Sequence, residues 1–180
     1  FLYAAMALPA GLAVSLGLAL LLNTQIPGQP LFRTIIFLPS LVPMVASAMI
    51  WLWLFNARLG LINTLLGAVG IHGPPWLINS NWALPALAFM SLWGVGYTVV
   101  IFLAGLQDVP RELYEAAEID GATPSRRLWH VTLPMISPVI FFNLVMALIG
   151  TFQVFSVPYI MTGGGPDRAT YFYSMYVFDN

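Results

Sequence analysis

Residues 108–134 read DVPRELYEAAEIDGATPSRRLWHVTLP and interrupt an otherwise apolar chain. This stretch is called the charged loop below, and its first twenty positions carry eight of the thirteen charged residues of the chain. Each charge at the centre of a bilayer costs about 2.5–3.5 kcal/mol on insertion scales. The charged loop is therefore predicted to lie in water, with apolar segments on both sides of it.

The composition of the whole chain excludes a water-soluble fold. Of its 180 residues, 59% are apolar and 7% are charged, whereas a soluble domain has about 25% charged residues. A net charge of −1 leaves no basic surface for nucleic acid. There is no cysteine, and all six basic residues are arginine, so the chain has no lysine for a P-loop. No cofactor is predicted, and any ATP chemistry must come from a partner.

Four segments have the length of about 20 mostly apolar residues that crossing a bilayer requires. They are residues 1–22, 34–55, 83–106 and 135–161. Prolines inside them are tolerated in membrane helices, where neighbours satisfy the freed carbonyls. The chain starts without a methionine and without a basic leader, so the first segment is interpreted as a span of a fragment and not as a signal peptide. The prediction is an all-α membrane protein, a polytopic helical bundle.

The placement of arginine predicts the orientation of these spans. With four spans, Arg33 falls on the same side as the arginines of the charged loop, and Arg58 and Arg168 fall on the other side. Basic residues are retained on the cytoplasmic side. The charged loop is therefore predicted to be cytoplasmic, and the loop 56–82 and the tail from Thr162 to lie outside.

The charged loop contains signals for two helices and a turn. Pro110 suits the first turn of a helix, and Thr123 followed by Pro124 is typical of a second helix start. Between them, Gly121 can adopt the left-handed conformation that ends a helix. The sequence predicts helix, glycine turn, helix.

The first of these helices has a possible docking face. Leu113, Ala116 and Ala117 share one side at helical spacing, and acidic residues border this shallow apolar ridge. Such a ridge fits a groove on another protein. An ordinary solvated helix explains the same pattern, because charged runs usually mark solvent-facing surfaces.

The charged loop resembles the EAA loop of binding-protein-dependent ABC transporter permeases. The match consists of Glu115-Ala116-Ala117, then Gly121, Val131 and Leu133-Pro134 at full spacing. Val131 stands where isoleucine is usual. Further matches are Arg33 with Phe37-Leu38-Pro39, Ile50-Trp51, Leu103-Ala-Gly-Leu-Gln107 and Thr162-Gly-Gly-Gly-Pro166. Together they are similar to the sugar-importer branch, and to the first permease of maltose and glycerol-3-phosphate importers.

The resemblance implies a transport subunit, not an enzyme, with four of the family's six core spans in this chain. It implies that the EAA loop is a coupling helix that docks on a cytoplasmic ATP-binding subunit. The docking residues would be Glu115, Ala116, Ala117, Asp120, Gly121, Arg126 and Arg127. The other implied partners are a second permease subunit in a heterodimer, an extracytoplasmic substrate-binding protein, a sugar or polyol, and membrane lipid. The implied location is the inner membrane of a bacterium or archaeon.

Transporter sites tend to lie near the bilayer midplane, which indicates the middles of segments 83–106 and 135–161. At helical spacing, one face of each holds aromatic, small and hydrogen-bonding residues that suit a polyol path. These candidates are Met90, Trp93, Gly94 and Tyr97 in the first, and Asn143, Ala147, Gly150 and Thr151 in the second. Packing between helices explains the same residues. More polar residues are expected at 147 and 150 in maltose permeases, which argues against maltose itself.

The sequence gives less support to two other classes of function. An ion-coupled secondary transporter normally needs a charged group inside a span, and none of the four segments holds one. An intramembrane hydrolase needs catalytic groups, but His72 and His130 are predicted on opposite sides of the membrane. Neither a His-Glu-x-x-His nor a Gly-x-Ser-x-Gly motif is present.

Overall fold

The structure is a computed structural model that describes residues 1–24 and 27–180. Its secondary structure is helical, and no β-strand occurs within these two ranges. The helices are α1 (Leu2–Leu22), α2 (Gln29–Phe37), α3 (Met44–Leu54), α4 (Leu61–Ala68), α5 (Ser80–Ser91), α6 (Gly96–Gln107), α7 (Arg111–Ile119), α8 (Pro124–Arg127), α9 (Leu133–Met135), α10 (Ser137–Phe152), α11 (Ser156–Thr162) and α12 (Tyr173–Asp179). The predicted all-α fold is confirmed.

Membrane-spanning length is reached by one helix alone and by three pairs of helices. α1 is long and apolar enough by itself. The pairs, each broken within four residues, are Gln29–Leu41 with Met44–Leu54, Ser80–Gly94 with Gly96–Gln107, and Pro124–Met135 with Ser137–Phe152. This gives up to four spans, by length and composition, if each pair is one span. The four spans with the boundaries given above stay a prediction.

The segment expected at 135–161 is not one continuous helix. α10 ends at Phe152, and α11 begins at Ser156. The Gln153 N–H donates to the Gly150 carbonyl at 3.1 Å. This bond joins residues three apart, as in a 3-10 helix, instead of four apart as in an α-helix, and it closes the last turn of α10. Apolar composition runs through this break, so hydropathy did not reveal it.

The described residues form two compact units. One comprises Phe1–Leu8, Leu41–Trp93 and Leu148–Asn180, and the other Pro9–Ser40 and Gly94–Ala147. In the first unit, α3 packs mainly against α11. The core there contains Ala48, Trp51, Phe55, Ala86, Leu87, Met90 and Met161.

The second unit, which contains the charged loop, has a core built from α1, α6 and the turn before α10. Its buried residues are Ala19, Leu22, Val99, Phe102, Leu103, Leu106, Val109 and Ile136. Glycine permits close helix packing here, because a Cβ on Gly105 would lie 2.8 Å from Cγ2 of Val139 on α10. Val109 is buried in this core, two residues before α7 begins. The start of the charged loop is therefore held in place by packing.

Candidate functional site

The first helix of the charged loop, α7, carries three of the seven predicted docking residues. It begins after Pro110, and Glu112 lies in its first turn, where a negative charge interacts favourably with the helix dipole. Glu115 and Ala116 are exposed, and Ala117 is half-buried. α7 thus offers a small-residue surface with acidic side chains beside it.

The apolar surface of α7 is wider than the predicted ridge of Leu113, Ala116 and Ala117. Leu113 is 39% exposed, and Ile119, in the last position of the helix, is 87% exposed. Ile119 lies six residues after Leu113 and therefore falls outside the spacing of three and four residues that predicted the ridge. Leu113 and Ile119 thus add two exposed branched side chains to the small ones of α7.

Gly121 ends α7 in the predicted left-handed conformation, with φ of 72°. Its N–H donates to the Glu118 carbonyl at 3.0 Å, and the Ala122 N–H donates to the Ala117 carbonyl at 2.9 Å. This pair of bonds is the Schellman motif, which satisfies the free carbonyls at a helix end. A Cβ on Gly121 would touch nothing within 4 Å, so the backbone conformation and not a lack of space favours glycine.

The second helix begins as predicted at the Thr123 cap, whose Oγ1 accepts a hydrogen bond from the Arg126 N–H at 3.4 Å. The predicted helix, glycine turn, helix is confirmed for this loop. One feature was not predicted. Residues Leu128–Thr132 form a π-helical turn between α8 and α9, in which the Leu133 N–H donates to the Leu128 carbonyl.

Side-chain bonds join the two helices of the charged loop. The Arg127 guanidinium donates to the Glu118 carboxylate, and this is the one ion pair within residues 1–24 and 27–180. The Tyr114 and Thr132 hydroxyls lie 3.0 Å apart in a hydrogen bond. Of these four residues, only Arg127 was predicted from the sequence as a site residue. Tyr114 and Glu118 lie one helical turn apart, and this spacing in the sequence could have indicated that they share a face of α7.

Asp120 and Arg126, two further predicted docking residues, point to no partner side chain within the described part of the chain and are exposed. Arg127, by contrast, is held by Glu118 and is only 24% exposed at its side chain. The electrostatic surroundings of the loop therefore differ between its two adjacent arginines: one is open to solvent, and the other is bound within the loop.

The first group of midplane candidates does not share an unbroken α-helical face. Residues Leu92–Gly94 form a 3-10 turn between α5 and α6, and side chains spaced for an α-helix are out of register across such a turn. Met90 is buried in the first unit, and Trp93 packs edge-on to Trp51 with ring centroids 6.1 Å apart. Gly94 is exposed. Tyr97 is 55% exposed and packs edge-on to Phe37.

The second group lies on α10, which exposes most of its apolar side chains. Asn143 is its one buried residue, and its Nδ2 donates to the Val139 carbonyl of the same helix at 3.0 Å. Ala147 is half-buried, and Gly150 is exposed. Thr151 lines a cavity of about 580 Å³ in the first unit, together with aromatic residues that include Phe152 and Tyr171.

The segments predicted to lie outside are stabilised by side-chain hydrogen bonds. The Trp76 Nε1 donates to Asn63 Oδ1 at 2.7 Å and holds the loop 56–82 together, while His72 is exposed. In the tail, the Thr170 hydroxyl is buried and donates to the Gly165 carbonyl at 2.7 Å. The Tyr171 hydroxyl donates to the Asp179 carboxylate, which raises the pKa of Tyr171 above its ordinary value.

A family model described as "Binding-protein-dependent transport system inner membrane component" matches residues 8–179. The chain is 38% identical over 96% of its length to a sulfoquinovosyl glycerol transport system permease of Agrobacterium fabrum, and covers 56% of that protein. It is 42% identical over 89% of its length to an sn-glycerol-3-phosphate transport system permease of Yersinia enterocolitica, and covers 55% of it. A trehalose/maltose transport system permease of Thermococcus litoralis is 36% identical over 92% of the chain, which covers 57% of that protein. The chain thus spans about half the length of the curated relatives it matches.

The fold is also found in a solved structure. One chain of a bacterial alginate ABC transporter, crystallised with a periplasmic protein that carries an alginate pentasaccharide, matches with a TM-score of 0.85 at 24% sequence identity. The match covers 98% of the present chain and 62% of the other. At this level of identity the likeness establishes the fold alone.

Proposed function

The chain belongs to the family of binding-protein-dependent transport system inner membrane components, and from this membership we propose that it acts in a permease subunit of an ATP-driven importer for a sugar or a related polyol. The observation that carries the proposal is the charged loop, which presents a capped, solvent-exposed helix between apolar segments. A chain without lysine holds no P-loop. We assign ATP hydrolysis to a separate cytoplasmic subunit, as the resemblance of the charged loop to the EAA loop implies.

We place the contact with the ATP-binding subunit on α7 and the glycine turn. The proposed docking residues are those of the sequence analysis: Glu115, Ala116, Ala117, Asp120, Gly121, Arg126 and Arg127. Small exposed side chains allow α7 to enter a groove closely, and the exposed charges favour one orientation in it. A partner shifts a conformational equilibrium only through different affinities for the two states. ATP binding thus drives the permease between inward-open and outward-open states through this contact.

The proposed solute class is supported by the relatives and by the residues of the midplane. The named solutes of the relatives are a sulfoquinovosyl glycerol, trehalose or maltose, and sn-glycerol-3-phosphate. We propose a pathway lined by Trp93, Gly94, Tyr97, Asn143, Ala147, Gly150 and Thr151. The exposed ring of Tyr97 offers a face for a sugar ring, and the Thr151 hydroxyl lies at the wall of a cavity.

The remaining partners follow from the same proposal. The family description names an inner membrane component that depends on a binding protein. We therefore propose an extracytoplasmic substrate-binding protein, a second permease subunit, and a multi-pass location in the inner membrane of a bacterium or archaeon. Exposed apolar side chains cover most of α10, and lipid or a second permease subunit would cover them.

The proposal is tested by reconstituting the full-length protein with its partner subunits in liposomes. Uptake of labelled trehalose, maltose, sn-glycerol-3-phosphate and a sulfoquinovosyl glycerol is measured. We expect uptake of at least one solute to require both ATP on the cytoplasmic side and the binding protein on the other side. Uptake should also survive an uncoupler.

The alternatives give different results in the same experiment. An ion-coupled carrier would transport without ATP and would stop when an uncoupler is added. A hydrolase would convert its substrate in the absence of any nucleotide. Either outcome, or uptake that is independent of ATP, would show that the proposed function is wrong.

A further inference from the structure

Two side chains on one face of α7 reach the helix that follows the glycine turn. Tyr114 and Glu118 are four residues apart, which places them one above the other on the helix surface. Glu118 accepts from Arg127, and Tyr114 is bonded to Thr132. The two contacts therefore lie one helical turn apart along α7 and join it to the same partner helix.

The π-helical turn explains how both contacts form at once. Arg127 and Thr132 are five residues apart, and in an α-helix at about 100° per residue they would point about 140° away from each other. A π-helical turn closes its hydrogen bond at the fifth residue, so residues with that spacing return to nearly the same side. The Thr132 hydroxyl donates to the Arg127 carbonyl at 3.4 Å across this turn. The unusual turn thus directs both residues towards α7.

The two contacts differ in their surroundings. Thr132 is 5% exposed, and the Tyr114 ring packs against the core of the second unit. Glu118 is 59% exposed at its side chain, so water and salt weaken the ion pair. The hydrogen bond between the two hydroxyl groups is partly buried, so solvent weakens it less than the ion pair, and leaving one of its partners unbonded is costly.

We propose that the Tyr114–Thr132 hydrogen bond is the positioning contact that makes α7 move together with the helix beginning at Pro124. This proposal rests on the proposed function, since it assigns to the contact the transfer of movement from the docked subunit to the membrane segment. Neither residue touches the ATP-binding subunit or the solute in this role. Their loss should lower the solute transported per ATP hydrolysed, while the binding of the subunit continues.

The test compares Tyr114→Phe, Thr132→Val and the double variant in the complete reconstituted transporter. Each single change removes one hydroxyl and keeps nearly the same shape. We expect each to lower the ratio of solute transported to ATP hydrolysed by roughly two- to tenfold, the range for one net hydrogen bond. The double variant should be no worse than the worse single variant, because both changes remove the same bond. Thr132→Ser keeps a hydroxyl and should restore most of the ratio.

Thr64→Val is the matched control, because it removes a part-buried threonine hydroxyl that donates to the Gly60 carbonyl at 3.0 Å in the loop 56–82. It should leave the ratio unchanged. Additive losses in the double variant, a Thr132→Ser variant as poor as Thr132→Val, or an unchanged ratio would each overturn the proposal.

Hydrogen exchange separates the failure of this inference from the failure of the proposed function. In the purified full-length permease, we expect the amides of residues 111–119 to exchange faster in Tyr114→Phe than in the unaltered protein, because α7 has lost a tie to its neighbour. If the unaltered protein shows no ATP-driven uptake, the proposed function is wrong and exchange still tests the contact. If exchange at 111–119 does not change, the contact does not hold α7 and the inference is overturned.

Discussion

The charged loop and the two apolar segments that hold the midplane candidates differ in what fixes their backbones. In the charged loop, the two helix ends at the glycine turn are satisfied by residues close in sequence: Gly121 closes α7, and Thr123 opens the next helix. In segment 83–106, the α-helix gives way to a 3-10 turn at Leu92–Gly94. In segment 135–161, it stops after Phe152.

The difference follows from the environment of each region. Helix ends in water need partners for their free N–H and carbonyl groups, and local side chains or a glycine turn supply them at low cost. Helix breaks within apolar segments depend on what packs around them, because glycine and proline are tolerated in membrane helices with or without a break. Local sequence therefore defines the loop, whereas packing defines the apolar segments.

The largest effect is expected for Gly121→Leu. A left-handed conformation costs an L-residue roughly 1–2 kcal/mol, so the variant should abandon the turn and misplace α7 relative to the helix after it. We expect ATP-driven uptake in the reconstituted transporter to fall by about tenfold or more. Insertion of the protein into the membrane, measured by its recovery in the membrane fraction, should be unchanged.

Gly70→Leu is the control for backbone strain alone. Gly70 also has a positive φ, 79°, and a Cβ there also meets nothing within 4 Å, but it lies in the loop 56–82. Uptake by Gly70→Leu should stay close to that of the unaltered protein. Normal uptake by Gly121→Leu would refute the role given to the glycine turn. Equal losses in both variants would mean that backbone strain at any such glycine lowers uptake, whether or not it lies in the charged loop.

The parts of the structure that the sequence predicted are those governed by local rules. The all-α class followed from composition, and the boundaries of α7 followed from Pro110 and Gly121. The bond between Trp76 and Asn63 joins residues thirteen apart, and no local rule predicts it. The packing of α3 on α11 joins segments about a hundred residues apart, so hydropathy could not reveal it.

A smaller effect is expected at the midplane, for Tyr97→Ala. If the exposed ring of Tyr97 stacks on the solute, its loss should raise the KM for uptake by roughly two- to tenfold, the size of one aromatic contact. The solute transported per ATP hydrolysed should stay constant, since Tyr97 lies outside the charged loop. Tyr97→Phe keeps the ring and should keep the KM.

Tyr176→Ala controls for the loss of an exposed tyrosine, because Tyr97 and Tyr176 are both 55% exposed. It should leave the KM unchanged. An unaltered KM in Tyr97→Ala would favour the packing interpretation, in which the ring serves only its edge-on contact with Phe37. That result would leave Tyr97 without a function in the solute pathway.

The candidate docking site was predicted in its exposed residues and not in its internal bonds. Glu115, Ala116 and Gly121 lie at the surface of the loop as the pattern of the sequence indicated. The bond between Tyr114 and Thr132 depends on the π-helical turn, and no residue in LWHVT signals such a turn. The exposure of these three residues was therefore predictable from the sequence, whereas the bonds inside the loop were not, and the docking role stays a prediction.

The smallest effect is expected for the ion pair, and it distinguishes a bond within the loop from a contact with the partner. Because the pair is partly exposed, it contributes about 0–1 kcal/mol. Glu118→Gln should therefore lower the solute transported per ATP by about twofold at low salt. At high salt the difference should shrink, since screening already weakens the pair in the unaltered protein.

Exchanging the two charges completes this test of the loop. If Glu118 and Arg127 act only on each other, Glu118→Arg combined with Arg127→Glu should recover most of the ratio that each single reversal loses. If Arg127 instead contacts the ATP-binding subunit, the double reversal stays defective and Arg127→Gln is much worse than Glu118→Gln. In that outcome the side chains of the charged loop would be positioned by the ATP-binding subunit. Only the backbone of the loop would then be fixed by its local sequence, in contrast to the apolar segments.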